Sequence, residues 1–117
     1  MQTLSRLWSE VLNKTQNLMI SIKIHRSHRA VVAVCDENLL GKKFEQDQFQ
    51  LDLRENFYKD KILNLEEAKS LMIQQKKEDA TFNIVGPLST KAAMEAKIIS
   101  QEGIAKIQSV PFALVLL

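Results

Sequence analysis

The chain has 117 residues, of which 45% are apolar and 26% charged. That size and balance fit one domain able to bury a core, and exclude extensive disorder. The net charge is +2, mildly basic, and one cysteine, Cys35, excludes an intrachain disulfide and suits a reducing, intracellular setting. No apolar run approaches the ~20 residues of a membrane helix, so no membrane partner is expected.

Residues 3–14 place Leu4, Leu7, Trp8, Val11 and Leu12 on one stripe of an amphipathic helix behind Thr3 as N-cap. The stripe needs a cover, either the domain's own core or a partner protein. A polar break follows, and Met19 could be a second start codon. Residues 1–18 are therefore expected to form a helical extension, and 19–117 a single compact α/β domain.

Alternation of Ile20, Ile22 and Ile24 with Ser21 and Lys23 predicts a half-buried strand, and the apolar run 30–35 a buried one. Between them lies His25-Arg26-Ser27-His28-Arg29, so the pair reads as a β-hairpin with a basic tip. Leu39-Leu40-Gly41 reads as a helical turn closed by glycine. Residues 48–53 alternate as a one-sided strand, and Phe57 and Tyr58 anchor the following loop. Asn64 with Glu67 is a capping-box pattern opening a helix to about residue 77. A strand at 81–85, a turn at Gly86-Pro87, a helix from Leu88 to near Gly103 and a strand at 104–107 read as a β-α-β unit with parallel pairing. Pro111 interrupts, and 112–117 is a terminal strand. The expected fold is a mixed sheet with helices packed on it.

The charges are segregated along the chain. Lys23, Arg26, Arg29, Lys42 and Lys43 stand against Asp36 and Glu37 in residues 19–44, and Glu45, Asp47, Asp52, Glu55 and Asp60 against Arg54 and Lys59 in 45–60. A hairpin extends cationic side chains outward, so Lys23, His25, Arg26, His28 and Arg29 are candidates for RNA phosphates, with Lys42 and Lys43 extending the surface if their turn folds back beside it. The plain alternative is a solvated turn. No aromatic residue lies among these cations to stack on bases.

Other chemistry is weakly signalled. The helix start at 86–90 could bind an anion, although the phosphate-loop pattern is absent and helix capping by Ser89 or Thr90 accounts for the residues. His25, His28, Cys35 and Asp36 lack metal-ligand spacing. Cys35 paired with a histidine across the hairpin is conceivable as a nucleophile, and a small hydrophobe ending a strand is the simpler reading. No catalytic residue, metal or cofactor is expected.

The segment Val31-Val32-Ala33-Val34-Cys35-Asp36-Glu37-Asn38-Leu39-Leu40-Gly41-Lys42-Lys43-Phe44 resembles the archaeal domain-of-unknown-function family 424. The start Ile22–Arg26, the turn Asn83-Ile84-Val85-Gly86 and the close Val110-Pro111-Phe112-Ala113 follow in the family's order, although Phe112 stands where the family commonly has histidine. The resemblance spans about 19–117 and implies an archaeal, cytoplasmic protein, with no reaction to carry over. Its association with translation genes points the basic hairpin toward a ribosome or structured RNA. A protein–protein adaptor docking through Leu4, Leu7, Trp8, Val11 and Leu12 is the alternative, and a small enzyme using Cys35 the remote one.

Overall fold

The computed structural model describes residues 18–116. The N-terminal helical stripe expected at 3–14 lies outside the described residues.

Strand β1 (Ile20–His25) and β2 (Val31–Asp36) form the expected antiparallel hairpin, with His25 opposite Val31 and Ile20 opposite Asp36. A 3-10 turn at Glu37–Leu39 and Gly41 at φ +80° lead to β3 (Lys43–Gln46) and β4 (Phe49–Asp52). These two strands form their own antiparallel hairpin, turning at Asp47 with φ +57°. Residues 48–53 are thus half of a separate two-stranded sheet. A one-turn helix α1 (Glu55–Tyr58), strand β5 (Lys61–Leu63) and helix α2 (Leu65–Lys77) come next. Asn64 caps α2 by the predicted box: its Oδ1 accepts from Glu67 N at 2.8 Å, and Glu67 Oε1 accepts from Asn64 N at 3.0 Å.

Strand β6 (Thr81–Val85), helix α3 (Pro87–Glu95), a 3-10 turn at Gln101–Gly103, β7 (Ala105–Ile107) and β8 (Val110–Val115) complete the chain. Helix α3 ends eight residues before Gly103, because Lys97 turns to φ +60° and breaks the helical path.

Six strands form one sheet in the order β5-β1-β2-β6-β8-β7. The sheet is mixed, as expected, but its parallel pair is β2–β6, not β6 with the strand after α3. The tight hairpin at Gln108 and Ser109, with φ +50° and +67°, sends β8 back between β6 and β7, antiparallel to both. Pro111 therefore sits within a strand, opposite Lys106, rather than interrupting one.

The two faces are covered differently. Helices α2 and α3 lie over Ile20, Ile22, Val32, Val34, Phe82 and Ile84, all fully buried. The other face carries a smaller cluster in which Ala33, Cys35 and Val85 pack under Leu53 and Tyr58. Burying a side chain such as Phe82 or Ile84 contributes about 1.5–3 kcal/mol each.

Candidate nucleic-acid interface

The odd-numbered side chains of β1 all meet α1. Ser21 Oγ donates to Tyr58 O at 2.8 Å, Lys23 Nζ to Asn56 O at 2.7 Å, and His25 Nε2 to Phe57 O at 2.8 Å. A carbonyl can only accept, so Nε2 of His25 carries a proton. Its ring also stacks on Phe57, with centroids 4.5 Å apart. These contacts satisfy the carbonyls left without partners at the end of a one-turn helix. Lys23 and His25 thus hold α1 against the sheet.

The tip itself is different. Arg26, Ser27, His28 and Arg29 are exposed, and within the turn Ser27 Oγ donates to Arg29 O at 2.8 Å. Arg26 and Arg29 join no ion pair among the described residues, whereas Arg54 is bound to Asp52 at 2.8 Å. Lys42 and Lys43 do not share the turn. They follow the carboxyl end of β2, at the opposite end from the tip, and Lys43 Nζ lies 3.4 Å from Glu45. The structure therefore gathers Lys23, His25, Arg26, His28 and Arg29 around one hairpin and leaves Lys42 and Lys43 elsewhere. The apolar stripe Leu4, Leu7, Trp8, Val11 and Leu12 lies outside the described residues.

The other sites signalled in the sequence have plain structural roles. At 86–90 the anion is internal. Asp36, buried at the end of β2, accepts from Leu88 N at 3.0 Å and from Ser89 N and Ser89 Oγ at 2.7 Å each. The cap expected from Ser89 or Thr90 is supplied by Asp36 instead: Ser89 points its hydroxyl at Asp36, and Thr90 Oγ1 bonds back to Gly86 O at 2.9 Å. Gly86 stands at φ +112°, where a Cβ would fall 2.4 Å from Asp36 Oδ1, so only glycine fits. Burial pushes the Asp36 carboxyl above its usual range, against the opposing pull of those hydrogen bonds. A shallow cavity of about 280 Å³ lies beside it, lined by Leu18, Asn38, Leu88 and Lys91.

Cys35 is fully buried, and burial raises its thiol to about 12. At neutral pH it is a thiol, not the thiolate a nucleophile or metal ligand requires. The register puts Ser21, not a histidine, opposite it, while His25 and His28 lie toward the far end of the hairpin. Among the described residues no cluster of three metal-ligand side chains occurs, and no helix is long and apolar enough to cross a membrane.

The fold so described is a mixed six-stranded sheet with helices on one face and a small hairpin on part of the other. It is shared with the crystal structure of an uncharacterized conserved protein from Methanopyrus kandleri. That likeness has a TM-score of 0.76 at 23% identity and covers 83% of this chain and 90% of that one. A search of curated proteins finds no match. The sequence profile of the family described as "Protein of unknown function (DUF424)" matches residues 25–117, and the chain belongs to that family.

Proposed function

We propose that the chain is a cytoplasmic accessory protein that contacts structured RNA, with ribosomal RNA the first candidate, through the phosphates seated on its basic hairpin turn. The observation that carries the reading is the pair Arg26 and Arg29. Both are exposed, both are without an acidic partner among the described residues, and both are mounted on a hairpin held by the sheet. A guanidinium in this state presents its donor fork to phosphate oxygens with little desolvation to overcome. His28 lies between them, and Lys23 and His25 stand behind the turn as charge and support. The association of the resembling family with translation genes supports the choice of ribosomal RNA.

Sedimentation of the protein with ribosomal subunits, at low and at high salt, tests the reading. Co-migration lost at high salt is expected. For an isolated RNA, the Arg26→Ala/Arg29→Ala variant should lower the slope of log K against log[salt] by about 1–2. Migration of the native chain at the top of the gradient at low salt, together with no binding to isolated ribosomal RNA, would refute it.

A further inference from the structure

The face of the sheet turned away from α2 and α3 is covered unevenly. In the row Ser21, Cys35, Val85, Phe112 the first three are sealed beneath the Leu53–Tyr58 cluster, and Phe112 is half-buried at its edge. The next row toward the hairpin tip is Lys23, Ala33, Asn83, Leu114, and the one beyond it holds His25, Val31 and Thr81. Ala33 is still fully buried, and α1 covers Lys23 and His25, so the face opens only toward β6, β8 and the start of β2. Leu114 is 58% exposed and Leu116, just past β8, is 74% exposed. Val31, Thr81 and Asn83 are only half-buried, although β2 and β6 have strands on both sides. On the opposite face, Val32 and Phe82 of the same strands are fully buried.

Asn83 stands out in this patch. Asparagine is depleted in strands, yet here it occupies an inner strand between Ala33 and Leu114. Its side-chain amide forms no hydrogen bond among the described residues, while neighbouring Thr81 bonds Ala30 O. The patch thus combines an apolar floor with one central amide that can both donate and accept. The rim toward the tip carries Arg26, His28 and Arg29 on the β1–β2 turn and Glu78 and Asp79 on the approach to β6. Arg26 and Arg29, which join no ion pair among the described residues, are the groups there that suit a polyanion. The open part spans three strands, β2, β6 and β8, spaced by ~4.8 Å, and is about 10 Å wide, room for one nucleotide. The Watson–Crick edge of a base is available to an amide only when the base is unpaired.

We propose that this half-open sheet face is a platform for unpaired nucleotides of RNA. Phosphates sit on Arg26 and Arg29, a base lies on Leu114, and the Asn83 amide beside it hydrogen-bonds the base edge. The inference rests on the reading of the basic turn as an RNA contact and adds the class of RNA: single-stranded or looped, not duplex.

Fluorescence anisotropy of the full chain tests it, with a labelled mixed-sequence 12-nucleotide RNA as single strand and as blunt duplex. Asn83→Ala and Leu114→Ser are compared with Arg26→Ala/Arg29→Ala, each checked for an unchanged fold by circular dichroism. Asn83→Ala and Leu114→Ser should each weaken single-strand binding at least ~5-fold, as expected for one lost base contact. Neither should alter the salt slope or duplex affinity, whereas the arginine variant should weaken both ligands and flatten the slope. If the two platform variants bind as wild type while the arginine variant weakens, the platform is wrong and the RNA reading stands. If the wild-type chain binds neither RNA at low salt, the platform is overturned, and the reading of the turn falls with it when ribosomal RNA is not bound either. If sedimentation shows a dimer that Leu114→Ser dissociates, the face is an interface between copies and the platform is overturned.

Discussion

Replacing Asp36 by alanine tests whether one buried carboxylate ties the end of β2 to the start of α3. Asp36 ends β2, and the groups it receives belong to the start of α3, more than fifty residues later. Alanine leaves two backbone N–H groups and the buried Ser89 hydroxyl without their acceptor. Each buried donor so stranded costs about 1–3 kcal/mol. Partial recovery by rotation of the Ser89 hydroxyl and entry of water brings the sum to about 3–4 kcal/mol. For a domain of this length that lowers Tm by about 12–16 °C. Urea denaturation followed by far-ultraviolet circular dichroism, with m unchanged, is the assay. A loss below about 1 kcal/mol would show that the α3 N-terminus does not need the carboxylate and would refute the account. The pH dependence supplies a second check. Burial raises the Asp36 carboxyl in the folded state, so between the unfolded value and the raised one the native state holds the extra proton. Stability therefore falls as pH rises through that window. Asp36→Asn removes this contribution, so the difference between wild type and variant should shrink from acidic toward neutral pH. A difference that grows instead would mean that the hydrogen bonds to the ionised form outweigh its burial.

Further outcomes follow from single residues. Gly86→Ala should destabilise by about 2–4 kcal/mol, because its Cβ would clash with the Asp36 carboxylate and φ +112° is strained for alanine. In the double variant with Asp36→Ala part of that loss should vanish, read as a coupling energy in a double-mutant cycle. Asn64→Ala should cost about 1 kcal/mol in chemical denaturation through loss of the α2 capping box. Cys35, buried and raised to about 12, should resist a thiol-reactive dye at pH 8 in the native protein and react at once in denaturant. Rapid native labelling would contradict the burial.

The N-terminal hairpin, α2 with its cap, and the strand at 81–85 were legible because each is signalled locally. Period-2 alternation marks β1, Asn64 and Glu67 mark a helix start, and glycine marks the bend at 41. The pairing of the C-terminal strands was not legible. Its hairpin is made by Gln108 and Ser109, neither a residue that announces φ > 0, and Pro111 conceals the strand behind it. Asp36 was hidden for the same reason: nothing at position 36 says that its oxygens will meet Leu88 and Ser89. The basic tip was legible as composition, but its internal division was not. The structure separates cations that build the fold, Lys23 and His25 bound to the carbonyls of α1, from the arginines at the turn that build nothing. That separation gives the RNA proposal its physical content. Substituting Lys23 or His25 loosens α1 and alters stability as well as charge, whereas Arg26 and Arg29 can be removed with stability within about ±0.5 kcal/mol. A change in RNA binding there reports the interface alone.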